Sequence, residues 1–569
     1  MFKARNVIEA GILAFAIGVP VFSLLPLGLT ARIIALCLTA LPAALVALIG
    51  ISGESLSSFL LIFIKYLRNR RIVGGNSAED AVPAAEHGGK HIKKKVHKPD
   101  KVSRRSRRSG REDFPAEFDE VRGYEIRQKL RPVKKQKPAK EKKAAKQKKK
   151  VSKERKVKRP IRTQEPKPAC LNPVADYLPI SKIENGIIYT KDHRYVKIVE
   201  VVPINFMLRS AQEQRNIIYS FVSYLKISPI KLQIKVLTRR AEINRHLDTV
   251  RKEMEQETNE QCLLMQEDYL QFVQQIGSRE AITRRFFLIF EYEPWSNTKR
   301  SDEEGEAINA LQSAVHTATN YLRQCGNEVI VPENWDEFTV DVLYNLLCRN
   351  ESAVKPLSVR AQEVVAEYLA KGRDSEIDHI PATEFCAPKS IDFTHGHHIC
   401  IDGLYYAYLL VPSDGYKTQV PAGWLSLIVN AGDGIDMDMF LSRQPKETII
   451  QKVGQQLRIN RSKIKDASDT NTDFDDIDGA IRSGYFLKEG LANNEDFYYL
   501  NLLITITASN EEDLEWKVSE MKKLLLSQDM NACTCHFREE QAFLSALPLV
   551  AMEKKLYERG KRNLSLIHI

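Results

Sequence analysis

The chain has 569 residues, 43% of them hydrophobic and 28% charged, and a net charge of +11. That content excludes a wholly disordered polypeptide and leaves room for several domains. The nine cysteines are odd in number and scattered, with Cys533 and Cys535 as the one close pair. They form no disulfide framework and suit a reducing compartment.

Charge is distributed unevenly. From Lys90 to Lys167 there are 32 Lys and Arg against 10 Asp and Glu, a net +22, so the total of +11 leaves −11 for the rest. A basic segment is joined to acidic parts.

Val7–Leu25 and Ile33–Ile51 are almost continuously apolar, with Glu9 interrupting the first. Each run of about 19 residues is long enough for a helix to cross the ~30 Å hydrocarbon core. Pro26 and Gly28 between them predict a tight turn, and Pro20 and Pro42 inside them suit membrane helices. A cleaved signal peptide starting at Lys3 and Arg5 fits less well, because a second run follows directly and no small-x-small site ends the first. Lys3 and Arg5 precede the hairpin, and Lys65, Arg68, Arg70 and Arg71 follow it. The positive-inside rule then gives a two-pass membrane protein with both termini and the main domain cytoplasmic.

In Glu54–Arg71, Leu56, Phe59, Leu60, Phe63, Ile64 and Leu67 recur at three- and four-residue spacing. This predicts an amphipathic helix at the inner leaflet, its cations toward anionic headgroups. The alternative is a helix packed on another protein. Beyond Val73 the composition changes, and "KKQKPAKEKKAAKQKKKVSKERKVKRP" has almost no large apolar residue, so 73–170 is expected to be a disordered basic linker. Its charge suits anionic lipid or DNA phosphates through counterion release. That lysine-rich stretch has no aromatic for base stacking, so DNA contact there would be sequence-blind; a solvated spacer is the plain alternative.

A globular pattern returns near Leu171. Strands are predicted at Gly186–Tyr189, Tyr195–Val202, Lys231–Leu237 and Phe286–Tyr292, with helices at Ser210–Leu225, Ala241–Gln275, Gly305–Gln324 and Trp335–Leu347. The order recurs: a hairpin at Ile399–Val411, a strand at Ile435–Leu441, a long helical region from Lys446 and a strand at Phe497–Ala508. Helices at Glu511–Leu526 and Glu539–Leu547 close it. The fold class is a membrane α-hairpin plus an α/β (α+β) cytoplasmic domain. Two related mixed-sheet halves, 171–350 and 351–560, are expected, each covered on one face by helices.

Few motifs carry chemistry. His395, His397, His398 and Cys400 fall within "THGHHIC", but no distant Cys/His pair completes a zinc set, and strand-edge histidines are the better reading. Asp469, Asn471 and Asp473 mimic the start of a calcium loop, yet Phe474 stands where Gly is needed and Ala480 where Glu is needed. No Gly-x-x-x-x-Gly-Lys-Ser/Thr occurs; at Gly560-Lys561 the earlier position holds Lys555 and Arg562 follows. No catalytic, cofactor-binding or metal residue is assigned, and the chain is not read as an enzyme.

Two resemblances enter here. The stretch "FAIGVPVFSLLPLGLTARIIALCLTALPAALVALIGISGESLSSFLLIFIKYLRNRR", within 1–72, resembles the PrgI family of small membrane proteins from conjugative elements of Gram-positive bacteria. The globular part resembles the N-terminal region of VirB/TraC/TrbE-type motor ATPases of conjugative type IV secretion. The carrying segments are "GIIYTKDHRYVKIVEVVPINFMLRSAQEQRNII", "VPAGWLSLIVNAGDGIDMDMFLSRQPKETIIQKVGQQLR" and "CHFREEQAFLSALPLVAMEKKLYERGKRNL". Glu540-Gln541 leading to Pro548 is the most specific part. The resemblance implies an assembly role, inner-membrane type IV secretion components as partners, and a homo-oligomer. It places ATP and magnesium chemistry after the position where this sequence stops, so neither cofactor is expected here. Leu564–Ile569 resembles the translated end of a sequencing-adapter transposon, so 561–569 is expected to be a truncated or artefactual tail. Two other readings stay open: a membrane-tethered nucleic-acid-binding protein acting through its basic linker, and a metal-dependent enzyme built on the histidines.

Overall fold

The two apolar runs are helices, α1 (Ala4–Leu24) and α2 (Leu29–Ile49). They are antiparallel: Asn6 Nδ2 donates to the Leu48 carbonyl (3.2 Å) and Arg32 Nη1 to the Phe22 carbonyl (3.1 Å). Both are long and apolar enough to cross a membrane. The computed structural model describes residues 4–24, 29–51, 54–74, 170–240, 243–255, 257, 259–279, 282–292, 303–417, 420, 423–466, 473–493 and 495–565. Almost all of the basic segment expected to be a disordered linker lies outside these residues. What is described belongs to one unit, Met1–Asn76 together with Pro168–Ile569.

After the hairpin come the amphipathic helix α3 (Leu56–Asn69), strand β1 (Ile72–Gly74) and the short helix α4 (Pro173–Tyr177). The first half then runs β2 (Ile180–Glu184), β3 (Ile187–Thr190), β4 (Tyr195–Val202), α5 (Ala211–Ile227) and β5 (Lys231–Arg240). It continues with α6 (Ile243–Met254), α7 (Glu260–Arg279), β6 (Ile282–Tyr292), α8 (Glu303–Gln324), β7 (Glu328–Val329) and α9 (Trp335–Leu347). Helices α10 (Arg349–Val354), α11 (Leu357–Ala370) and α12 (Ala382–Cys386) lead to the second half. This is β8 (Ser390–Asp392), β9 (Ile399–Ile401), β10 (Leu404–Leu410), α13 (Ser426–Val429), β11 (Ile435–Gln444), α14 (Lys446–Asp466) and α15 (Asp473–Ala492). Then come β12 (Phe497–Ala508), α16 (Glu511–Ser527), β13 (Cys533–Thr534), α17 (Glu539–Ala546), α18 (Lys554–Gly560) and β14 (Arg562–Ser565).

All these strands join one sheet of order β1-β8-β9-β10-β12-β11-β5-β6-β4-β3-β2. From the centre outward each half repeats the other: β5-β6-β4-β3-β2 on one side, β11-β12-β10-β9-β8 on the other. The satellite strands match too, since β7 pairs β4 as β13 pairs β10. The halves meet where β5 pairs β11, with Val236 opposite Met437 and Leu232 opposite Leu441. A pseudo-twofold axis therefore passes between β5 and β11.

Three expectations change. The sheet is not mixed: every described pairing is antiparallel. Helices cover both faces rather than one. Strands such as "RRFFLIFEY" and "LYYAYLL" are apolar at both parities, and each parity needs cover. Phe287, Ile289, Tyr406 and Tyr408 pack in one core with α9, α12 and α17, and Leu288, Phe290, Ala407 and Leu409 in another with α5, α8 and α16. Finally, the long helix expected over 241–275 is two, because the Asn259 side chain accepts from Gln261 N (3.0 Å) and starts α7. In the calcium-like loop, Asp469 and Asn471 lie outside the described residues, and Asp473–Ala480 is helical.

Candidate functional site

The site is the joint between the N-terminal helices and the sheet domain, and it starts at Glu9. This carboxylate, the one acid in the first apolar run, accepts from Ser57 N (3.0 Å), Ser57 Oγ (2.6 Å) and Arg5 Nε (2.9 Å). The N-cap residue of α3, Ser55, makes no side-chain cap. Glu9 takes that place from another helix, a negative charge at the positive end of the α3 dipole.

The spacing that made α3 amphipathic gives it two apolar faces. Phe59, Phe63 and Tyr66 close on the Phe537 ring at centroid distances of 5.8, 5.2 and 5.2 Å. The Tyr66 hydroxyl donates to the Thr394 carbonyl. On the opposite face Leu60, Leu61, Ile64 and Leu67 are exposed. The inner face thus packs on this chain's own domain, not on another protein, and the outer face is exposed.

Phe537 is held for this contact. Its backbone is left-handed (φ +60°), a costly conformation for a bulky residue. Its N–H donates to the Gly396 carbonyl (3.0 Å). A Cβ on Gly396 would lie 2.5 Å from the Phe537 ring, so only glycine fits beneath it.

Ion pairs frame the aromatic cluster. Before α3, Glu54 Oε1 meets Arg538 Nη2 (3.0 Å) and Arg559 Nη1 (3.6 Å). After α3, Glu540 accepts from Arg71 Nη2 (3.1 Å) and the Tyr177 hydroxyl (3.0 Å). Arg71 is half exposed, so its pair contributes no more than about 1 kcal/mol. Arg538 is nearly buried, and loss of Glu54 would strand its charge. Strand β1 then adds to the sheet edge, Val73 opposite Ile391.

Glu539 begins α17 directly behind the joint. Burial pushes its carboxyl up to about 9, outweighing the backbone N–H groups of Phe537, Arg538 and Glu539. Of the histidines flagged in the sequence, His395 stacks on His398 (4.5 Å) and His397 Nδ1 lies 2.9 Å from His536 Nδ1. Burial, with His397 nearby, lowers the His536 pKa to about 4. Cys400 sits apart on β9, opposite Tyr405. No group of three or more metal-type ligands forms among the described residues.

From α17 the chain crosses the pseudo-twofold axis and is gripped there by buried polar groups. Lys235 Nζ reaches Asp438 Oδ2 (2.7 Å) and the Ala546 carbonyl (2.9 Å). Gln233 Nε2 donates to Asp438 Oδ1 (2.8 Å) and the Leu547 carbonyl (3.1 Å), and its Oε1 accepts from Val550 N (2.8 Å). Burial raises the Asp438 pKa to about 6 against the pull of Lys235. Arg349 pairs with Asp436 beside them. The segment 537–550 therefore ties the helical hairpin to the sheet centre, and Glu540, singled out from sequence, is one of its fastenings. Sequence reasoning missed Glu9, Phe537 and Lys235. The alternation in "LQIK" by itself reads as a solvated face, and only its pairing with "DMDM" places Lys235 against Asp438.

Residues 181–319, the first half of the sheet with α5 to α8, match the family described as an archaeal TraC-like domain, which relates to the conjugation ATPase TraC. No curated protein matches the chain.

Proposed function

We propose that this chain is a membrane-anchored assembly component of a conjugative type IV secretion machine. The match of 181–319 to a TraC-like domain carries the reading. It is supported by two helices of membrane-spanning length and by the joint that ties them to the sheet domain. In this reading α1 and α2 are a PrgI-like hairpin with both ends in the cytoplasm. The outer face of α3 lies on the inner leaflet, and the duplicated sheet docks on sister subunits and on other inner-membrane components.

The basic segment adds a polyanion-binding arm whose charge suits anionic lipid or DNA. These 569 residues supply no ATP chemistry of their own, since a phosphate cradle needs glycines and a Lys-Ser/Thr that the sequence lacks. Calorimetry with magnesium-ATP should give no micromolar binding. The role is tested by crosslinking in the native host, tagging the chain and identifying what co-purifies from membranes. Inner-membrane transfer proteins are the expected catch, and a tagged chain recovered without any of them counts against the proposal.

A further inference from the structure

The chain leaves the joint at Gly74 and is next described at Cys170, and both ends of that interval lie at one place. Gly74 sits on the β8 edge, where a Cβ would fall 2.8 Å from Val174 Cγ2 and 2.1 Å from the Lys389 carbonyl. Val73 and Cys170 pack against the same core. The Glu384 carboxylate accepts from both Leu171 N and Asn172 N (3.2 Å for the latter), and Asn172 Nδ2 donates to the Pro388 carbonyl (2.8 Å). Gly74 and Cys170 thus lie on one stretch of the sheet edge. Hairpin and domain touch directly through Glu54, Phe59, Phe63, Tyr66, Arg71 and β1.

From this geometry we infer that residues 4–74 are a docking module, held on the sheet domain by the joint itself and not by the peptide that connects them. The module's partner surface is the patch formed by Thr394, Gly396, Phe537, Arg538, Glu540 and the β8 edge. It combines a central, half-buried aromatic anchor with flanking charge pairs and backbone pairing at one side, an arrangement in which a few central residues carry most of the binding energy.

The test uses the full chain with protease sites inserted after Asn76 and before Pro168 and an affinity tag at the N-terminus. After cleavage in detergent, the module should retain the 168–569 piece through washes at about 1 M salt, where screening leaves only short-range contacts. Recovery should stay within about twofold of the uncut chain. Release of that piece on cutting overturns the inference. Phe63→Ala with Tyr66→Ala should lower recovery at least tenfold after cleavage while the uncut variant is still recovered whole, and Leu60→Ala with Leu61→Ala on the free face should leave it unchanged. Equal recovery of the Phe63/Tyr66 variant and the parent would remove the aromatic cluster as the anchor and overturn the assignment of the surface.

Discussion

The Tyr66 hydroxyl donates to the carbonyl of Thr394, a residue 328 positions away, and so binds the last turns of α3 to the loop that shelters Phe537. Tyr66→Phe keeps the ring on Phe537 and deletes only this bond. It should weaken the joint by about 1 kcal/mol, because the carbonyl loses a partner in a half-buried site. Hydrogen exchange is the readout: α3 amides should lose about fivefold in protection, while those of β10 and β12 keep theirs. Unchanged α3 protection would show that the bond does not hold the helix.

At the pseudo-twofold axis, Lys235 and Asp438 are 2% and 0% exposed. Lys235→Met leaves Asp438 unpaired and the Ala546 carbonyl short of a donor. A loss of about 3–5 kcal/mol is expected in denaturant unfolding. The double variant Lys235→Met, Asp438→Leu should lose clearly less, since it removes both desolvation costs together. A double variant as damaged as the sum of the singles would contradict this.

Glu539 gives a pH signature. Its pKa is raised from an ordinary 4.5 to about 9, so the folded chain holds the proton more tightly than the unfolded one. Its contribution is full below about 4.5 and is lost as pH rises through about 9. Glu539→Gln keeps the acceptor for Phe537 N without the charge. It should be the more stable form at pH 8, with a flatter melting-temperature profile across that window. A parent and variant with parallel profiles would deny Glu539 its raised pKa.

Much of the domain was legible in the sequence. Strands β4, β6, β10 and β12 were found because their apolar runs are bounded by turn residues, and the doubled order of elements was visible as a repeated pattern. The second helical layer was not. The period-two reading of β10 sees an apolar strand and cannot count the layers packed on it. The site was mostly hidden because it is assembled across hundreds of positions: Glu9 with Ser57, Glu54 with Arg538, Arg71 with Glu540. Gln233 and Lys235 alternate with apolar neighbours as residues on a solvated face do, yet they are buried because the partner strand offers Asp438 at the same height. Pairing between distant strands has no local signature.

The orientation of the hairpin is open to labelling. In a Cys-free background, single cysteines at Ala4, Thr30 and Asn76 separate the two sides of the membrane. An impermeant maleimide should reach Thr30→Cys from outside intact cells and leave the other two unlabelled. Labelling of Ala4→Cys or Asn76→Cys from outside would reverse the orientation and put the domain in the wrong compartment.

The central claim is a role in conjugative transfer at the membrane, and transfer frequency measures it directly. In the native host, deletion of the coding sequence should lower donor-to-recipient transfer by orders of magnitude, as loss of a required part does. A copy supplied in trans should restore it, and a copy carrying Phe63→Ala and Tyr66→Ala should not. Transfer at the parental frequency in the deletion strain would contradict the account.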